Sequence, residues 1–376
     1  MAECKRVLHV LHSMNCGGAE TLIMNIYRNI YRSKIQFDFL VNCFEEMYFE
    51  GEIEELGGRI YRMKFLTKIS PPLYKFKLIR FFEEHREYRI VHSHLETTTG
   101  IILSCAKRAG VAGRIAHSHN SRYPRSGSLS ILENVYKDYC KNKIVPNATV
   151  KLACSKKSAE WLFGSGSRET TIVKNGIETE KYRFSQTARE EVRKEMGISQ
   201  KTTVLGHAGR FYDQKNHSYL IDVFAEYEKD NPDTMLLLAG EGPLLEQIRE
   251  KVSSVGLCEK VKFLGLRSDM NKILQGLDAF LLPSKFEGLP LALVEAQCAG
   301  LPCYVSDCVS LEGDLGCGLV NFLSLNDSAE KWAKNIRTTA LDRDHACGKV
   351  AAAGYDIKDT AKKLEELYVK MLRTAE

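Results

Sequence analysis

The chain has 376 residues, of which 44% are hydrophobic and 27% charged, with a formal net charge of +5. That length suits two domains better than one core, and the balance is ordinary for a soluble globular protein. No apolar run reaches the roughly 18 residues that a transmembrane helix needs. The start, Met1-Ala2-Glu3-Cys4-Lys5-Arg6, lacks the apolar core and small-residue cleavage site of a signal peptide. Twelve cysteines contain no C-x-x-C pair, and Cys303, Cys308 and Cys317 lack metal-ligand spacing. Reduced, mostly buried thiols in a cytoplasmic protein are expected, Cys105, Cys154 and Cys298 among them.

Residues 1–180 carry 27 Lys and Arg against 19 Asp and Glu, whereas residues 181–376 carry 26 against 29. The basic half includes Lys75-Phe76-Lys77-Leu78-Ile79-Arg80-Phe81-Phe82. This stretch reads as an ordinary amphipathic helix with a basic outer face or, as the alternative, as one in peripheral contact with an anionic membrane. No helix-turn-helix, zinc-finger or RNA-binding signature accompanies the charge, so nucleic acid is excluded as a partner.

In chain order, the first half alternates strands with helices. Strands are predicted at residues 6–12, 37–41, 59–63, 90–94, 114–119, 151–154 and 171–173, with a helix over 19–32 after the first. The polar stretch from Glu178 to Lys201 reads as a linker. The rhythm restarts with strands at 203–208, 235–239, 261–264, 279–282, 302–305 and 319–322. Two such series predict two doubly wound α/β domains with parallel sheets, at 1–180 and 181–358, binding ligand at the carboxyl ends of the strands and in the cleft between domains.

Several motifs fall at strand ends. Met14-Asn15-Cys16-Gly17-Gly18-Ala19-Glu20 follows the first strand, and its glycines let a backbone approach a ligand closely. It is not G-x-G-x-x-G, so the dinucleotide fingerprint fails. His92/His94 and His117/His119 form two H-x-H pairs, each on one strand face. Such pairs can bind metal, which makes a metal-dependent hydrolase a rival reading, although no carboxylate obviously completes either pair. Asp342-Arg343-Asp344 alone resembles a metal-binding D-x-D. Arg210 and Lys215, in Gly209-Arg210-Phe211-Tyr212-Asp213-Gln214-Lys215-Asn216, bracket a loop where two cations can neutralise a departing diphosphate. Gly240-Glu241-Gly242-Pro243 reads as a tight turn.

The richest segment is Lys285-Phe286-Glu287-Gly288-Leu289-Pro290-Leu291-Ala292-Leu293-Val294-Glu295-Ala296. A buried strand precedes it, and Pro290 fits the first turn of a helix. The free N–H groups near Gly288 and Leu289 make an anion site. Glu287 and Glu295 span about 12 Å of helix, close to the reach of a nucleotide diphosphate-sugar. This segment resembles the E-x7-E motif of group 1, or family 4, retaining glycosyltransferases. The Gly17-Gly18 loop, the Arg210/Lys215 loop, the Gly240–Pro243 turn and Val173-Lys174-Asn175-Gly176-Ile177 resemble that family's motifs in the expected order, across nearly the whole chain. Glu178 stands where an aspartate is usual, and Asp307-Cys308-Val309-Ser310 departs from the glycine pair that many members carry.

The resemblance implies a GT-B fold of two Rossmann-like domains, with the final helix, 360–374, packing back on the first. It implies a metal-independent hexosyl transfer with anomeric retention. The substrates are a nucleotide diphosphate-sugar, in the first instance UDP-linked, and a hydroxyl acceptor, with no further cofactor. A glycan or lipid-linked acceptor in surface polysaccharide assembly, at the inner face of a membrane, is expected. His119, Glu287, Arg210 and Lys215 take catalytic roles by that likeness. Gly17, Gly18, Gly288, Leu289 and Glu295 bind the donor, and loop 120–130 would shape the acceptor pocket. A nucleotide-sugar epimerase of the same fold, or a non-catalytic nucleotide-sugar sensor, remains the alternative on sequence alone.

Overall fold

The computed structural model describes residues 4–15, 17–64, 71–120, 131–338 and 343–374. Loop residues 121–130 and Asp342 lie outside this set, so the acceptor-loop and D-x-D expectations are not addressed. The chain forms two units, one of Met1–Gly176 with Ile357–Glu376 and one of Ile177–Asp356. Residues 177–180 therefore fall in the second unit.

The first unit holds seven parallel strands: β1 (Lys5–Leu11), β2 (Ile35–Val41), β3 (Ile60–Arg62), β4 (Ile90–Ser93), β5 (Gly113–Ser118), β6 (Val150–Ala153) and β7 (Thr171–Ile172). Their order is β3-β2-β1-β4-β5-β6-β7, the doubly wound arrangement whose direction of winding reverses between β1 and β4. Both faces are covered, which is why the strands read as continuous apolar runs. Along β1, Val7 and Leu11 join one core with Phe37, Phe39 and Tyr27, while Leu8 and Val10 join the other with Leu78, Phe82 and Ile102. The helix Ile357–Thr374 seals the first of these cores through Ile357, Ala361, Leu364, Tyr368 and Leu372. The basic helix Pro71–Glu84 buries Tyr74, Leu78, Phe81 and Phe82 at helical spacing.

The second unit holds β8 (Thr203–Ala208), β9 (Thr234–Ala239), β10 (Val261–Gly265), β11 (Ala279–Leu282), β12 (Cys303–Ser306) and β13 (Val320–Leu323). The order β10-β9-β8-β11-β12-β13 repeats the winding, with reversal between β8 and β11. The linker expected over 178–201 is overturned. That stretch forms helices Thr179–Tyr182 and Gln186–Glu195 within this unit. Its polarity misleads because the charges are paired inward. Arg193 is 1% exposed and donates to Asp278 at 2.6 Å and to the carbonyls of Gly276, Ser199 and Thr202. Arg189 holds the other Asp278 oxygen at 2.5 Å.

The eleven described cysteines are free thiols, with Cys105, Cys154 and Cys298 buried. Among the described residues, no helix is long and apolar enough to cross a membrane.

Candidate active site

In the second unit the loops that leave β8 and β11 lie side by side, because those strands are neighbours at the reversal point. The β8 loop runs through Gly209-Arg210-Phe211 and is pinned to the Gly240–Gly242 turn. The Gly209 N–H donates to Ala239 O at 2.9 Å, and the Phe211 N–H donates to Glu241 O at 2.9 Å. Gly240 has φ +136°, and a Cβ there would collide with the Gly209 carbonyl. Only glycine allows this approach. A short turn, Asp213–Lys215, then ends on Asn216 at φ 57°, ψ 42°, which starts the helix His217–Asp230.

Three contacts stitch that turn to the β11 loop. The Lys285 N–H donates to Gln214 O at 2.8 Å, Gln214 Nε2 donates to Phe286 O at 3.0 Å, and Lys285 Nζ lies 2.5 Å from Asp213 Oδ1. The result sets Lys215 Nζ 2.5 Å from Glu287 Oε1, with both side chains more than four-fifths buried. The Glu287 carbonyl also accepts from the Ser310 N–H at 3.3 Å. A buried ion pair of this kind holds its members in register but leaves little net charge.

Immediately beyond stands the helix Leu291–Cys298. Pro290 is its N-cap, with φ −71° and ψ 123°, rather than a member of its first turn. Its carbonyl accepts the first helical bond, from the Leu293 N–H at 3.0 Å. The amides of the first turn have no carbonyl four residues back, so this end, next to Gly288 and Leu289, attracts an anion. Leu289 is buried in a small core with Val294 and Cys298, which fixes the backbone there. Glu295 accepts a 2.7 Å hydrogen bond from the Tyr182 phenol. Burial raises the Glu295 carboxyl above the usual range, and the Tyr182 bond opposes the rise. Tyr182 was not foreseen, since 113 residues separate it from its partner.

The structure thus brings Lys215, Glu287, Gly288, Leu289 and Glu295 onto two adjoining loops and one helix. Arg210 is different. Its side chain is exposed, with its guanidinium 5.3 Å from the Tyr212 ring centre.

The first unit has its own polar focus where its strands reverse. Gly17 caps the helix Gly18–Asn29, and the Glu20 carboxylate occupies the space a Cβ on Gly17 would need. A Cβ on Gly18 would meet nothing within 4 Å. The G-G-x-E pattern therefore joins one glycine against which the Glu20 carboxylate rests to one that opens the backbone to its surroundings.

His119 follows β5. Its ring Nε2 lies 2.8 Å from His94 Nδ1, and His94 Nε2 lies 3.1 Å from His9 Nδ1. Alongside, Tyr368 Oη lies 2.7 Å from His92 Nδ1, and His92 Nε2 lies 3.2 Å from His117 Nδ1. All five rings are held neutral by burial, His9 at about 3 and His119 at about 4. Sequence reading found four of these histidines but not His9, whose place beside His92 depends on strand register.

A carboxylate lies beside this cluster without joining a histidine set, since both sets among the described residues contain histidines alone. Glu96 Oε1 accepts from the backbone N–H groups of His119 and Asn120 and from Asn120 Nδ2, each at 3.0 Å. It grips the His119 backbone. Two histidine triplets, His9/His92/His94 and His94/His117/His119, have ring nitrogens within 4.8 Å of one another. His94 spends both ring nitrogens on His9 and His119, and His92 spends both on Tyr368 and His117, whereas His9 Nε2, His117 Nε2 and His119 Nδ1 have no hydrogen-bond partner among the described residues.

The chain matches the family model "Glycosyl transferases group 1" over residues 188–356 and "Glycosyltransferase Family 4" over residues 16–181. It is 34% identical over 371 residues to EpsF of Bacillus subtilis (strain 168), named as a glycosyltransferase, covering 97% of this chain and 96% of that one. The chain belongs to the group 1 glycosyltransferases. An Escherichia coli relative, UDP-Gal:α-D-GlcNAc-diphosphoundecaprenol α-1,3-galactosyltransferase, is 27% identical over 76% of each chain. In fold, this glycosyltransferase resembles Anabaena HepE in complex with UDP-glucose. The TM-score is 0.77, with 20% identity and coverage of 97% of this chain and 99% of that one. The expected GT-B fold of paired Rossmann-like units holds, and the family match favours neither a metal hydrolase nor an epimerase.

Proposed function

We propose that this glycosyltransferase moves a sugar from a UDP-sugar to a hydroxyl of a lipid-linked glycan, with retention of anomeric configuration and without a metal ion. The observation that carries the reading is the Lys215–Glu287 pair at the head of the helix Leu291–Cys298. An arriving diphosphate would take over Lys215 and the first-turn amides, releasing the Glu287 carboxylate to orient the sugar. Arg210, free of any acidic partner among the described residues, would swing onto the same diphosphate as charge develops. Glu295, oriented by Tyr182, would hold ribose hydroxyls. The positive charge that Lys215 and Arg210 would bring to the diphosphate once Glu287 turns to the sugar is the reason a metal would be dispensable, and the donor phosphate oxygen would assist deprotonation of the acceptor on the same sugar face. The base and the acceptor class are supported by the E. coli relative and by HepE, whose names carry UDP-Gal, a diphosphoundecaprenol acceptor and UDP-glucose.

Thermal melting with UDP, GDP and their sugars, in the presence of a chelator, tests this. A ligand at a hundred times its Kd stabilises by about 2.7 kcal/mol, or about 5–10 °C for a domain of this size. UDP should raise Tm in the chelator, and Lys215→Ala should abolish the rise. No response to any nucleotide, or one that requires a metal, overturns the donor reading. The product anomer, read by NMR, decides retention.

Membrane contact is supported by the outer side of the helix Pro71–Glu84. Leu73 and Phe76 are exposed there beside Lys77 and Arg80, and Val135, Tyr136 and Tyr139 of the helix Ile131–Asn142 are exposed as well. Lys75 Nζ lies 5.4 Å from the Tyr139 ring centre, joining the two helices. Aromatic side chains interleaved with cations suit an anionic bilayer surface. The protein should sediment with vesicles containing phosphatidylglycerol but not with pure phosphatidylcholine, and Phe76→Ser with Lys77→Glu should remove the difference. Equal sedimentation with both vesicles would exclude the contact.

A further inference from the structure

The three imidazoles His9, His94 and His119 form one row across β1 and the ends of β4 and β5. The ring planes of His9 and His94 are nearly parallel, at 11°, and those of His94 and His119 are tilted by 32°. Each contact joins an Nδ1 to an Nε2. A neutral imidazole carries one N–H, and each contact needs one proton between its nitrogens. Only two arrangements satisfy both contacts: all three rings protonated on Nδ1, or all three on Nε2. The row therefore has a single polarity. Its ends, His119 Nδ1 and His9 Nε2, are buried and have no hydrogen-bond partner among the described residues. One end is always a bare donor and the other a bare acceptor. Buried polar atoms seldom stay unpaired, and the His119 end sits at the carboxyl edge of the sheet, where ligands of this architecture bind.

We propose that His94 and His9 are positioning residues for His119, setting whether its Nδ1 donates to or accepts from a hydroxyl of the substrate. A hydroxyl suits this end because it both donates and accepts by rotating. A charged group would leave one polarity of the row without a match. The second row, Tyr368–His92–His117, stacks on the first with ring centres 4.2 Å apart at His92/His94 and at His117/His119. It walls the first row off from water. The hydroxyl rests on the transferase reading, but the shared polarity does not.

The test uses the full chain with 15N-labelled histidine and long-range 1H–15N spectra between pH 6 and 8. His9, His94 and His119 should all be neutral and carry their proton on the same ring nitrogen. In His94→Phe, His119 should lose its single tautomer and become a mixture. Should that variant not fold, His9→Phe, whose ring would lie among Phe37 and Phe39, should shift the His119 tautomer from one row length away. Unlike tautomers in the wild type, or a His119 signal indifferent to the variant that folds, overturn the row. The UDP-sugar that raises Tm most should shift all three rings together, and UDP alone should not. A shift confined to His119, or none, removes the hydroxyl assignment. Failure of every UDP-sugar to bind would instead count against the donor reading and leave the tautomer result to stand by itself.

Discussion

Glu96 is held in the left-handed region at φ 48°, which costs a residue other than glycine about 1–2 kcal/mol. Three N–H donors reward its Oε1, yet Oε2 is buried with no partner among the described residues. Burial outweighs the donors and pushes the carboxyl up to about 7. A carboxyl raised on folding takes up protons as the chain folds, so its contribution is present at acid pH and is lost as pH climbs from about 4.5 to about 7. Glu96→Gln keeps an oxygen for the same donors and removes the charge. Urea midpoints should show the variant gaining on wild type between pH 5 and pH 8. A gap that stays constant with pH would mean that Glu96 titrates normally. Nothing in Leu95-Glu96-Thr97 marks this residue out, since its strain and its His119 contact appear only once β4 and β5 are paired. Asn216 was more legible. Its observed φ is 57°, and asparagine is among the residues that tolerate a left-handed backbone best.

Among elements, the parallel strands were readable because both faces of each sheet are buried and the runs are apolar throughout. Register was not. The pairing of His9 with His92 and the bond from Tyr182 to Glu295 bring distant segments together, and local pattern carries no record of which strand lies beside which. The interval 178–201 failed for a related reason. Arg189 and Arg193 look solvated until Asp278 is placed between them. The core of β1, β4 and β5 also carries a measurable consequence. Its five histidines stay neutral when folded but accept protons below about pH 6.5 when unfolded. Bases with depressed values contribute stability that is complete above the unfolded value and lost as pH falls. Each contributes up to about 1.4 kcal/mol per pH unit. Urea unfolding of wild type from pH 7 down to pH 5 should fall steeply, and His117→Phe should flatten the slope by roughly one proton. Equal slopes would show that the cluster is already charged in the fold.

At the scale of the whole molecule, each unit has cores of its own, but their chain economies differ. The second unit is one continuous segment, and the first is not. Removing residues 357–376 would expose the faces that Ile357, Leu364, Tyr368 and Leu372 cover and would take the phenol from His92. At about 2 kcal/mol for each large apolar side chain, that loss rivals the total stability of a domain, about 5–15 kcal/mol. The truncated chain should lose the cooperative transition of the first unit, followed by hydrogen exchange of β1 and β4. Segment 177–356 should still fold and still be stabilised by UDP. Protection of β1 and β4 unchanged by the truncation would show that the last helix is dispensable.

That discontinuity bears on how the protein is made. Domains usually fold in the order in which they leave the ribosome. Here the amino-terminal sheet emerges early but waits for Tyr368 and its neighbours, which are translated only after the whole of the second unit. Until then one side of β1 and β4, histidines included, stays uncovered while the later-born half can already be complete. A nascent chain stalled before residue 357 should therefore be a client for chaperones that grip exposed apolar sheet faces, and synthesis of the helix Ile357–Thr374 should end that need.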